Sequence, residues 1–198
     1  MIERRQLQTS DGLTLETKVD IPDAPARVTV LCHPHPLQGG SMNAPLMIAV
    51  TQRLLAHGHT VVRFNFRGTG ASTGSHDEGV GEILDVTAAV GHARELELPL
   101  GLAGWSFGAG VALGWLADSG EAQIPYVGIA PAPDRLPDAL PPGPKRIILG
   151  TREQVIDAVT LQAYAIDKGI DLVLTPGDHF FHGRGDKIGE LVAQGLDV

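Results

Sequence analysis

The chain has 198 residues, 43% of them apolar and 19% charged, with a formal net charge of −8. The apolar share excludes a disordered chain, and the size predicts a single domain over residues 1–198. The acidic balance, whose densest cationic cluster is only Arg4-Arg5, argues against nucleic acid and anionic membranes as partners.

Met1–Asp11 is polar and lacks the apolar stretch of a secretory signal. No run approaches the roughly 18 apolar residues of a membrane span, so a cytoplasmic protein is expected. Gln6–Thr9 and Leu13–Val19 alternate apolar and polar residues around Ser10-Asp11-Gly12, which predicts an antiparallel hairpin at a sheet edge. Cys32 is the lone cysteine, so neither an internal disulfide nor a multi-cysteine zinc site is available.

Short β-branched or apolar runs follow: Val28–Cys32, Val61–Phe64, Leu100–Ala103, Tyr126–Ile129, Ile147–Leu149 and Leu172–Leu174. Such runs suit strands buried on both faces of a parallel sheet. Helical spacing separates them, in Leu46–Leu55, Ile83–Val90, Val111–Leu116, Val155–Tyr164 and Ile188–Val192. The alternation predicts an α/β fold with a mostly parallel sheet and helices on both faces. Pro131–Pro144 carries six prolines and reads as a loop too short to fold as a cap.

Gly104-Trp105-Ser106-Phe107-Gly108 fits G-x-S-x-G between a predicted strand and a predicted helix. The pattern is weak alone, and this setting is what gives it weight. A serine nucleophile there needs a cramped turn, and glycines two residues either side leave room for strand and helix to approach. A hydroxyl attacks well only when a base takes its proton. His179 lies in Gly177-Asp178-His179-Phe180-Phe181-His182 after the last strand, on the sheet edge that carries Ser106, with His182 as its rival. An acid must hold the base's tautomer. Glu153, after Ile147–Leu149, keeps the order serine, acid, histidine; Asp157 and Asp134 are the alternatives.

The oxyanion of acyl transfer needs N–H donors. Phe107 supplies one, and the loop His33-Pro34-His35-Pro36-Leu37 supplies the second. Pro34 and Pro36 have no N–H, which leaves Leu37 as the first choice and His35 as the reserve. His33-x-His35 could also be read as a metal pair, but such a site needs further ligands, and a hydrogen-bonded loop role is preferred. Arg67-Gly68-Thr69-Gly70-Ala71-Ser72-Thr73-Gly74 misses both the dinucleotide and the P-loop patterns and reads as a tight structural loop.

These residues together resemble the α/β-hydrolase superfamily over nearly the whole chain, and within it small, lidless hydrolases of the dienelactone-hydrolase or carboxylesterase kind. The resemblance implies Ser106 as nucleophile, His179 as base, an acid at the position of Glu153, and no cofactor. Glu153 stands where such proteins usually carry Asp, and a serine stands where dienelactone hydrolases carry cysteine. The expected activity is cleavage of a small-molecule ester or thioester through an acyl-enzyme, with short acyl groups favoured by an open site. A non-catalytic binding protein, or a peptidase or acyltransferase using the same residues, is the alternative.

Overall fold

In the computed structural model, which describes residues 1–198, the β-branched runs become one eight-stranded sheet. The strands are β1 (Ile2–Gln8), β2 (Thr14–Asp20), β3 (Arg27–Cys32), β4 (His59–Phe64), β5 (Leu100–Trp105), β6 (Tyr126–Ile129), β7 (Lys145–Gly150) and β8 (Asp171–Thr175). Their order is β1-β2-β4-β3-β5-β6-β7-β8. β1 pairs antiparallel with β2 and β2 antiparallel with β4, while every pairing from β4 onward is parallel. The helices are α1 (Pro45–Ala56), α2 (Glu82–Arg94), α3 (Phe107–Ser119), α4 (Ala158–Asp167) and α5 (Gly185–Leu196).

Alternation along each strand assigns its side chains to two apolar layers. Val28, Val30 and Cys32 of β3, Val62 and Phe64 of β4 and Leu102 of β5 pack with α2 and α3. Leu31, Val61, Ala103 and Val127 point the other way, into a layer built with α1 and α5. Each fully buried side chain of this size contributes about 1.5–3 kcal/mol, so two such layers make the central strands a rigid base. No helix is long and apolar enough to cross a membrane.

Three expectations shift. The hairpin strands run Ile2–Gln8 and Thr14–Asp20, because β1 is an exposed edge whose register comes from pairing rather than burial. β8 is the opposite edge and only half covered, so Leu172–Leu174 is not buried on both faces. Val155 and Ile156 precede α4 instead of opening it: Asp157 is its N-cap, accepting from the N–H groups of Val159 and Thr160.

Candidate active site

Ser106 sits between β5 and α3 with φ 53° and ψ −116°, left-handed torsions that a non-glycine residue adopts only under constraint. Its N–H donates to Ile129 O at 2.8 Å, tying the bend to β6. The two glycines of the motif are required sterically. A Cβ on Gly104 would stand 2.7 Å from the backbone of Gly108 and Ala109, and one on Gly108 would meet His33 O at 2.3 Å. α3 starts at Phe107, so the Phe107 N–H has no helical carbonyl behind it and faces outward at the positive end of the helix.

His179 and Glu153 come together. Glu153 Oε2 accepts from His179 Nδ1 at 2.9 Å, with the two side chains 1% and 5% exposed. Glu153 Oε1 accepts from the N–H groups of Gln154, Val155 and Ile156 at 2.9, 2.7 and 3.3 Å, so the loop after β7 folds around the carboxylate. That is how the longer acid is accommodated. The loops after β7 and β8 are stitched by Thr151 N–H to Thr175 O and Arg152 N–H to Gly177 O, both 2.9 Å. With Nδ1–H donating to a carboxylate, a neutral His179 ring keeps Nε2 bare. No hydrogen bond joins the Ser106 hydroxyl to His179; both line one cleft, and in ligand-free sites such contacts commonly tighten only around substrate.

Two residues that the sequence reading passed over position His179. Trp105 Nε1 donates to His179 O at 3.2 Å. Asp178 Oδ1 accepts from the N–H groups of Phe180 and Phe181 at 3.1 and 3.0 Å, forming the turn that presents His179. An Asp two residues before a turn N–H was a legible signal. Of the alternatives, Asp157 is occupied as the α4 cap, Asp134 lies in a 3-10 turn at Pro133–Arg135, and His182 is exposed with its ring stacked on Phe180.

The loop after β3 moves the second N–H candidate from Leu37 to His35. The Leu37 N–H donates to His35 Nδ1 at 3.2 Å, and Leu37 is three-quarters exposed outside the cleft. The His35 N–H has no acceptor in the protein, and His35 lines the cleft. The His35 ring packs 4.9 Å from His76 and 5.0 Å from Phe107, on whose ring Arg135 also sits. Burial, followed by the charges of His76 and Arg135, lowers its pKa, in keeping with a neutral ring whose Nδ1 accepts. His33 is fully buried: Phe66 N–H donates to Nε2 at 3.0 Å and Nδ1 faces Pro34 O at 2.6 Å. Burial brings its pKa down to about 4. Both ring nitrogens are spoken for by backbone, so His33 braces the loop.

The Arg67 motif is a brace too. Arg67 donates from Nε and Nη2 to Asp85 Oδ1 at 3.0 and 2.8 Å and from Nη1 to Asp11 Oδ2 at 3.0 Å. It anchors the segment whose Phe66 packs edge-on against Phe107 at 5.6 Å. The resulting cleft holds about 240 Å³ between Ser106, His179, Gly40, Leu46 and Phe180. Residues 131–144 contribute nothing to its walls.

The model of the X-Pro dipeptidyl-peptidase (S15) family matches residues 11–134. The match includes Ser106 and stops short of Glu153 and His179, so geometry alone associates those two with it. A crystal structure of a lidless α/β serine hydrolase from Xanthomonas campestris superposes with a TM-score of 0.87 at 30% identity, over 99% of this chain and 94% of that one. An α/β serine hydrolase homologue from Coxiella burnetii gives 0.86 at 31% identity, over 98% and 97%. An uncharacterized protein of Rickettsia prowazekii is 39% identical over 100 residues, 48% of this chain but only 41% of that relative's length.

Proposed function

The chain belongs to the X-Pro dipeptidyl-peptidase (S15) family of the α/β-hydrolase superfamily, and on that premise we propose that it is a serine hydrolase of small carboxylic esters or thioesters. The observation that carries the reading is the Glu153–His179 pair, shut from solvent and opening onto the cleft that holds a strained Ser106. His179 Nε2 takes the proton as Ser106 Oγ attacks the acyl carbon. The N–H groups of Phe107 and His35 receive the oxyanion. The protonated His179 then gives its proton to the departing alcohol or thiol, leaving an acyl-serine. Water, deprotonated by the same ring, releases the acid and restores the serine.

The family's own name describes release of a dipeptide, whose free ammonium would lie two residues from the scissile bond. Such a group calls for a carboxylate facing the cleft. The walls carry no carboxylate: they include Pro34, Leu46, Val155, Gln38 and His182, and Glu153, hydrogen-bonded to His179, is 1% exposed. That favours uncharged esters over peptides, and the absence of any covering from residues 131–144 favours short acyl groups.

The test is hydrolysis of p-nitrophenyl acetate by wild type and Ser106→Ala. Wild-type turnover with a kcat loss of roughly 10⁴–10⁶ in the variant is expected. Equal turnover by both proteins overturns the assignment.

A further inference from the structure

A second depression of about 200 Å³ adjoins the cleft and shares four walls with it: Pro45, Leu46, Phe180 and His182. Its floor is Ala49 of α1 and Gly185 of α5. Two of the shared walls form a stacked pair, Phe180 on His182, with ring centres 5.6 Å apart and planes at 22°. Phe180 is 48% exposed, an unusual state for an aromatic side chain whose backbone sits in the base's own turn.

Resting on the serine-hydrolase reading, we propose that this depression is the subsite for the alcohol half of the substrate, and that it selects an apolar alcohol. The direction follows from the chemistry. The departing oxygen must lie within hydrogen-bond reach of His179, which protonates it. What is bonded to that oxygen therefore extends past the His179 loop, and the next residues of that loop, Phe180 to His182, form the wall of the second hollow. That leaves the cleft residues outside the depression, among them Gln38 and Gly39, for the acyl half. No carboxylate or cationic chain lines the depression, so it offers an alkyl group dispersion contacts and release of water rather than a polar partner.

Two ester series separate the halves: acetates of straight-chain alcohols from methanol to octanol, and methyl esters of straight-chain acids from acetate to octanoate. In wild type, kcat/KM for the acetates rises about two- to fourfold per methylene until the depression is full. In Phe180→Ala that slope falls toward unity, while the acyl slope stays within about twofold of wild type. A flat acetate series in an enzyme that turns over methyl acetate overturns the subsite and leaves the hydrolase reading intact, as does a Phe180→Ala variant that changes both slopes alike. Failure to turn over any ester of either series removes the hydrolase reading and the subsite with it.

Discussion

Glu153 holds its own loop and His179 through different oxygens. Oε1 gathers three backbone N–H groups and Oε2 meets His179 Nδ1. Glu153→Gln keeps an oxygen for the three N–H groups but turns an amide donor toward Nδ1. The ring must then carry its proton on Nε2, the tautomer that cannot act as base. A kcat loss of roughly 10²–10⁴ with little change in Tm is expected in ester hydrolysis and thermal melts. Asp157→Ala behaves oppositely: losing the α4 cap lowers Tm and leaves kcat near wild type. Full activity of Glu153→Gln would transfer the acid role elsewhere. Glu153 was readable from chain order and strand position. The preference for Leu37 was not sound, because a donor's availability depends on where the loop turns, and it is the His35 ring that claims the Leu37 N–H.

Among the elements, the end of the sheet remote from the cleft is held by histidines that no local pattern reveals. His57 follows α1, His59 opens β4 and Asp197 follows α5. His57 Nδ1 lies 2.9 Å from Asp197 Oδ2 and its Nε2 3.1 Å from Glu190 Oε2, while His59 Nε2 lies 2.9 Å from Asp197 Oδ1. Arg27 stands 3.9 Å from Asp197, and Arg53 pairs with Asp186 beside Glu190. The hydrogen bond to Asp197, helped by Glu190 and outweighing burial, raises the His57 pKa from 6.5. A raised histidine contributes its stability in full below the unfolded value and loses it as pH rises through the folded one. His59 runs the other way: burial lowers it despite Asp197, so its share is present above 6.5 and lost on acidification. Asp197 is lowered, the two histidine hydrogen bonds outweighing burial, and Glu190 is lowered first by its hydrogen bond from His57; their shares fade only in acid. The Tm gap between wild type and His57→Gln is therefore expected to be widest below pH 6.5 and to close as pH rises through the raised folded value. A gap independent of pH across that range would refute the charged role of His57.

Across the molecule, the parallel sheet is what gives distant residues a common address. His35 follows β3, Ser106 follows β5, Glu153 follows β7 and His179 follows β8, and parallel pairing of those strands puts all four loops at one edge. The β-branched runs made that arrangement legible, and with it the gathering of Ser106, Glu153 and His179 at one edge. The edge strand β1, the start of α4 and the Trp105–His179 contact were less so, since each depends on pairing or packing across the chain. If the assembled edge activates Ser106, its hydroxyl must react far faster than an ordinary serine, and only while His179 is in place. Reaction with a fluorophosphonate, followed by mass analysis of the labelled peptide and comparison with His179→Ala, reads both conditions at once. A single adduct on Ser106, formed at least about 10³-fold more slowly in the variant, is the result expected; an adduct on another residue, or equal rates in the two proteins, would contradict it.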